Sequence, residues 1–305
     1  MPTQPLDALE AIVPLISRAD PLSTISALWQ GPSDAQMRVE GGTIVRASRY
    51  PSGPASMHLT MGRDRVVARA WGLGARDALE SVPALIGERD DPSGLQPRHD
   101  VIAEAQRRMP GLRLTSGAPL LETLLFSILG QKVTSYEARR SFGALIRRFG
   151  EPAPGPLGLM VPPRPEKLAR TPYWAFHTLG IERRRAEAIQ ATAAAAHRFP
   201  SLVPLASGVR IARLTSLPGI GPWTAAEAIR LSFGDADAVS VGDYHLPSLV
   251  CWALAGEREG TDARMLELLA PYAGQRARVV LLIERAGSRF ERHAPRMGPR
   301  SIAAI

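Results

Sequence analysis

Residues 214–231, LTSLPGIGPWTAAEAIRL, set two glycines and two prolines within five positions, between runs whose apolar residues recur every three to four. No helix crosses such punctuation, so the chain must leave one helix, turn tightly and start another. Pro222 suits the first turn of the second helix, because it has no N–H to lose and its φ is already helical. Gly219 and Gly221 permit backbone conformations closed to other residues and let another backbone approach closely. The product is a helical hairpin whose turn offers unpaired amides at a helix N-terminus, where donors and partial positive charge together favour phosphate. Such a hairpin can dock on a nucleic-acid backbone without reading sequence. An ordinary corner between two helices would use a similar turn.

The rest of the chain places the hairpin in a helical half. From residue 99 onward, LLETLLFSILGQKV, SYEARRSFGALIRRFG, RRRAEAIQATAAAAHRF, VRIARLTSL, WTAAEAIRLSFG, LPSLVCWALAG and ARMLELLAPY carry helical apolar spacing. Gly150, Gly234 and Gly256 follow three of these runs, where helix C-caps fall. Residues 36–71 instead alternate with period two, interrupted at Gly41-Gly42 and at Gly62-Arg63-Asp64, which predicts antiparallel strands, and DALESVPALIG after them reads as a helix. The expected fold class is therefore α+β: a small antiparallel sheet domain over residues 1–98, an all-α helix-hairpin-helix domain over 99–288, and a basic tail over 289–305. EPAPGPLGLMVPPRPE is too rich in proline for regular structure and reads as a long surface loop.

Composition narrows the chemistry. A formal net charge of +8 favours anionic partners, although Lys132 and Lys167 are the only lysines and an Arg-rich, Ala-rich bias also follows genome composition. The single cysteine, Cys251, excludes intrachain disulfides, zinc ribbons and a cysteine-ligated iron-sulfur cluster, and its place in SLVCWAL predicts a buried thiol. His177, His197 and His245 lack metal-ligand spacing, so no metal bound by side chains is expected. With no apolar run near 18 residues and no basic-then-apolar leader, the expectation is a soluble, cytoplasmic protein.

Twenty residues after Trp223, the run VSVGDYHLPSLV puts Asp243 between an apolar stretch and a helix. It can act as an ordinary N-cap, worth about 1 kcal/mol. Inside a cleft the same fixed carboxylate has an electrostatic role available.

With these residues in this order, the chain resembles the helix-hairpin-helix DNA glycosylase superfamily and, within it, the DNA-3-methyladenine glycosylase II branch. The resemblance rests on L-P-G-I-G-x-W-T-A, the Asp in its D-Y-x-L context, LLETLLFSILGQKVTSYEARR before the hairpin and LLAPYAGQRARVVLLI after it, over residues 88–286. It implies an N-terminal domain like half of a TATA-binding protein, followed by the helical glycosylase domain. It also implies a monomeric, monofunctional glycosylase that excises alkylated purines from damaged double-stranded DNA in base excision repair. Asp243 takes the catalytic position; Trp223 stacks on the extruded base, with Gln131, Glu227 and Tyr244 around it. Gly219, Ile220, Gly221 and Thr224 hold a DNA phosphate, where the family can bind a monovalent cation; no other cofactor is implied. Lys132, beside Gln131, takes the place that fills the gap left by the flipped base.

Relatives that also nick the strand carry a Lys at the Trp223 position, which attacks C1′ and forms a Schiff base. Without that amine, the expected product is an abasic site and no break. A cationic alkylated purine is a good leaving group and is drawn to a π face, so one carboxylate suffices for hydrolysis. Three departures bear on substrate choice: Glu227 stands where the branch has Tyr, Leu281 where it has another Trp, and Lys132 where it has Leu or Gln. They keep open a catalytically impaired damage-binding module and a glycosylase for deaminated or oxidised bases.

Overall fold

The computed structural model describes residues 8–15 and 18–287, so the expected basic tail of 289–305 lies outside the described residues. Strands β1 (Leu9–Pro14), β2 (Met37–Glu40), β3 (Thr43–Tyr50), β4 (Gly53–Met61) and β5 (Arg65–Trp71) form an antiparallel sheet in the order β1-β5-β4-β3-β2. β2 to β5 follow the period-two alternation, and Gly41 and Gly42, with φ of 53° and 81°, supply the two left-handed positions of the β2–β3 turn. One sheet face buries Met37, Ile44, Met57, Leu59 and Val66 in a core completed by α1 (Pro21–Ile25) and α2 (Ala75–Leu85). β1 is an addition to the sequence reading. LEAIVP shows no alternation, and its strand form comes from pairing along β5, from Leu9 opposite Ala70 to Pro14 opposite Arg65.

The proline-rich segment 151–163 is a docked strap, which corrects the expectation of a surface loop. Its ends pair as β6 (Glu151–Pro152) and β7 (Met160–Val161), and Leu159 and Val161 are buried with Ala47 of β3. The Met160 amide donates to the Ala35 carbonyl at 2.9 Å and Ser56 Oγ donates to the Pro154 carbonyl. Proline suppresses regular hydrogen bonding but not burial, so composition misjudged this segment.

The helices are α3 (Asp100–Arg108), α4 (Leu120–Leu129), α5 (Ser135–Phe149), α6 (Pro165–Arg170), α7 (Tyr173–His177), α8 (Arg183–Ala195), α9 (Ser207–Thr215), α10 (Pro222–Phe233), α11 (Leu246–Ala255), α12 (Asp262–Leu269) and α13 (Arg276–Ala286). Two helical cores result. Leu124, Leu125, Ile128, Ile146, Phe176 and Ile229 belong to a core built by α4 to α10. Ile102, Val250, Met265, Val279 and Ile283 belong to a second core, built by α3 with α11, α12 and α13. Cys251 is fully buried in α11, and burial pushes its thiol pKa up. None of the described helices is long and apolar enough to cross a membrane.

Gly234 and Gly256 close their helices in the left-handed conformation, at φ 63° and 71°. Gly150 ends α5 differently, at φ −69° and ψ −174°. It must be glycine because a Cβ there would lie 2.4 Å from the Ile146 carbonyl oxygen and 2.5 Å from that of Val161.

A buried polar junction joins the sheet to α4. Glu122, in the first turn of α4, accepts from Arg46 Nη2 at 2.7 Å, Gln36 Nε2 at 2.5 Å, Ser48 Oγ at 3.1 Å and the Arg49 amide at 3.1 Å. Burial pushes its carboxyl above the ordinary value, against the opposing pull of Arg46 and the other donors. Three of the four groups around it, the Arg46 guanidinium, the Gln36 amide nitrogen and the Arg49 backbone N–H, can only donate, so the geometry favours the ionised form. The other end of α4 carries the loop with Gln131 and Lys132.

Candidate active site

The hairpin joins α9 to α10. Gly219 sits at φ 79°, and a Cβ on it would lie 2.5 Å from Ala188 Cβ on α8, so both handedness and close packing require glycine. Gly221 departs from the expectation: at φ −92° and ψ 175° it is extended, and nothing lies within 4 Å of a Cβ there. Ile220 is buried in the first helical core and anchors the tip. Pro222 opens α10, as the sequence predicts.

Gln131 faces the hairpin. Its Nε2 donates to the Gly219 carbonyl at 2.9 Å and to Thr224 Oγ1 at 2.8 Å, which locks the end of α4 to the start of α10. Thr224 is buried, and its hydroxyl oxygen is engaged by Gln131. Lys132 is exposed at the tip of the α4–α5 loop and has φ 54°, the one positive value outside glycine among the described residues. A side chain held in that sparsely populated region marks a loop whose shape the surroundings dictate. Just beyond it, Thr134 and Glu137 close a reciprocal capping box that starts α5.

Trp223 and Asp243 meet. The indole Nε1–H donates to Asp243 Oδ2 at 2.9 Å, while Asp243 Oδ1 accepts from the His245 and Leu246 amides at 2.8 and 2.9 Å. The cap reading of Asp243 is therefore present, and its second oxygen is engaged by Trp223. It caps α11 with one oxygen and faces α10 with the other, at the boundary between the two helical cores. The far edge of the Trp223 ring would stand 3.2 Å from a Cβ at residue 130, so Gly130 makes room for it, a feature the sequence reading missed.

Glu227 is not free for a base. Its Oε2 accepts from Arg230 Nη2 at 2.9 Å and its Oε1 from Ser240 Oγ, three residues before Asp243. The carboxylate thus ties α10 to the loop that carries Asp243. Tyr244 is 77% exposed, its ring edge-on to His245 at 4.8 Å between centroids. Glu284 on α13 has an accessible side chain, yet crowding by surrounding protein raises its carboxyl pKa; Arg230 lowers it, and Glu227 and Asp243 raise it further. Arg185, from the basic run at 183–185, is buried and donates to the Leu129 carbonyl at 3.0 Å, so it caps α4. A cavity of about 270 Å³ lies elsewhere, between residues 91–95, the end of α3 and α13.

Chemically, the site offers a carboxylate fixed by three neutral donors, an aromatic ring whose polar atom is committed to it, and a helix N-terminus open to an anion. That combination can stabilise positive charge beside an aromatic surface while backbone amides hold a phosphate.

No family model matches the chain. DNA-3-methyladenine glycosylase 2 of Escherichia coli (strain K12) is 32% identical to it over 118 residues, 38% of this chain and 42% of that protein, so the match spans less than half of the relative. The 3-methyladenine DNA-glycosylase from Archaeoglobus fulgidus shares the fold, with a TM-score of 0.73 at 17% identity over 90% of this chain and 96% of that one. The Clostridium acetobutylicum 8-oxoguanine glycosylase/lyase, in complex with double-stranded DNA containing cytosine opposite 8-oxoG, gives 0.68 at 13% identity over 92% and 99%. The chain thus shares the α+β fold of these glycosylases and, over 118 residues, is similar in sequence to DNA-3-methyladenine glycosylase 2.

Proposed function

We propose that this protein is a monofunctional DNA glycosylase that removes alkylated purines of the 3-methyladenine type from double-stranded DNA, opening base excision repair. The observation that carries the proposal is the 2.9 Å hydrogen bond from the Trp223 indole to Asp243, at the first turn of the hairpin's second helix. An aromatic ring occupies the place from which a lyase would attack, and it is bound to the carboxylate that hydrolysis needs.

The damaged nucleotide rotates out of the duplex, at a cost of a few kcal/mol that a damaged base lowers. The amides of Gly219 and Gly221 grip the backbone phosphate, the extended and open Gly221 leaving room for close approach, while the Ile220 amide is taken by the Leu217 carbonyl. Lys132 fills the vacated gap, its cation adding a phosphate contact. Stacking on Trp223 returns about 1–3 kcal/mol per base, and a cationic purine gains further from the π face. Asp243, with no cation paired to it among the described residues, stabilises the developing oxocarbenium sugar and guides water to C1′. The carbonyls of Leu217 and Gly219 accept hydrogen bonds from Ile220 and Gln131, and each keeps a second lone pair that a monovalent cation at the hairpin would use. All of these groups come from one chain, so a monomer suffices.

The test is release of free methylated base from alkylated duplex DNA by the purified protein, with strand breaks appearing only after hot alkali. Breaks formed without alkali would contradict the monofunctional assignment. Failure to release any methylated base would overturn the glycosylase assignment itself.

A further inference from the structure

The loop that presents Asp243 is a tight turn, buried at Ser240 and exposed at Gly242. The Asp243 amide donates to the Ser240 carbonyl at 3.3 Å, closing a four-residue turn, and Gly242, its third residue, has φ 89° as in a type II turn. Nothing lies within 4 Å of a Cβ built on Gly242, so the turn is open on that side. What meets the central peptide of the turn, between Val241 and Gly242, is a carboxylate from another helix. The Gly242 N–H points to Asp262, 3.1 Å from Oδ1 and 3.1 Å from Oδ2. Asp262 is the first residue of α12, and the capping of that helix is done by Thr261, whose Oγ1 accepts from the Arg264 amide at 3.2 Å. A first-turn acid favours any helix dipole, but that does not account for its reach across to Gly242.

We propose that Asp262 is a positioning residue for Asp243, holding the Gly242 peptide so that the carboxylate stays aimed at its work. The proposal rests on the reading of Asp243 as the catalytic group. The turn then has two tethers. Ser240 ties its start to Glu227 on α10, and Gly242 ties its end to Asp262 on α12. Losing the second tether frees the central peptide to flip between the two common turn types and lets the carboxylate wander from C1′. A small misplacement of a reacting group is felt in the chemical step and not in the grip on DNA.

The experiment uses the full chain as wild type, Asp262→Ala and Asp262→Asn. Single-turnover release of 7-methylguanine from duplex DNA should fall roughly 10- to 100-fold in Asp262→Ala, with unchanged affinity for duplex DNA. The Asn variant should recover most of the rate, because its amide oxygen still accepts from Gly242. The indole N–H resonance of Trp223, assigned by its loss in Trp223→Phe, should move in Asp262→Ala and return in Asp262→Asn. A full excision rate with an unmoved indole resonance in Asp262→Ala would overturn the proposal, as would an Asn variant as slow as the Ala variant. Should the wild type release no methylated base, the glycosylase reading falls and the indole resonance alone decides the tether.

Discussion

Two carboxylates in this molecule show opposite uses of the same group. At the sheet–α4 junction, Glu122 is enclosed at 6% exposure, and Arg46, Gln36, Ser48 and the Arg49 amide all donate to it. At the boundary between the helical cores, Asp243 is half-buried and held only by neutral donors: the Trp223 indole and two backbone amides. Glu122 has its charge matched inside the protein and nothing left to offer. Asp243 has its direction fixed but its charge unmatched, which is the state that stabilises a cation arriving from outside. The difference separates a carboxylate that organises the fold from one that is organised by it.

The largest effect is expected at the enclosed member. In Glu122→Ala the Arg46 guanidinium loses its counterion in a buried setting, and stability should drop by about 3–5 kcal/mol. Urea unfolding measures this, and a loss below about 1 kcal/mol would dissolve the distinction, since it would place Glu122 among ordinary surface pairs. Next comes Asp243→Asn, which keeps an effective N-cap and so should leave the unfolding midpoint nearly unmoved. Its single-turnover excision rate should fall about 10²- to 10³-fold, as when a preorganised electrostatic group is removed, with duplex binding retained. Stability lost without activity lost would reverse the roles assigned to the two residues.

Much of this arrangement was legible in the sequence, and the omissions share a cause. The alternation in residues 36–71 gives β2 to β5, and the helical spacing gives α4, α5 and α8 to α12, because each pattern is local, while α13 was expected only through the resemblance. The hairpin and Asp243 were also readable, through LPGIGPW and D-Y-x-L. What escaped were features set by a partner distant in the chain. β1 owes its form to β5; α3 is mostly polar and is recruited through Ile102 and Ala105; the strap over the sheet depends on Ala47. Glu227 looked like a pocket residue because its spacing from Trp223 is one helical turn, whereas its commitment to Ser240 appears only when the loop folds back. Asp262 looked like any acid at a helix start, and its partner lies twenty residues away.

Burial and saturation differ together between Glu122 and Asp243, and Asp237 separates them. It lies on the same α10–α11 connection as Asp243, yet it is saturated like Glu122: Oδ1 accepts from the Gly274 amide at 2.8 Å, the Arg276 amide at 3.1 Å and Arg276 Nε at 2.8 Å. The pair is partly open, with Arg276 at 33% and Asp237 at 25% exposure. Desolvation pushes the Asp237 carboxyl up, but the Arg276 side chain and the backbone donors outweigh it and hold the pKa below the usual carboxylate range. A carboxyl depressed in the folded state adds stability above its unfolded value of about 3.9, and the gain is lost as pH falls through the folded value. Asp237→Asn should therefore cost little at neutral pH, on the order of 0–1 kcal/mol. The gap between wild type and variant should shrink on acidification below about pH 4, because there the wild type loses what the variant never had. Melting midpoints followed from neutral pH down to about pH 3 measure it. A gap that stays constant or widens in acid would mean that saturation by donors does not set this carboxylate's contribution, leaving burial as what distinguishes Glu122 from Asp243.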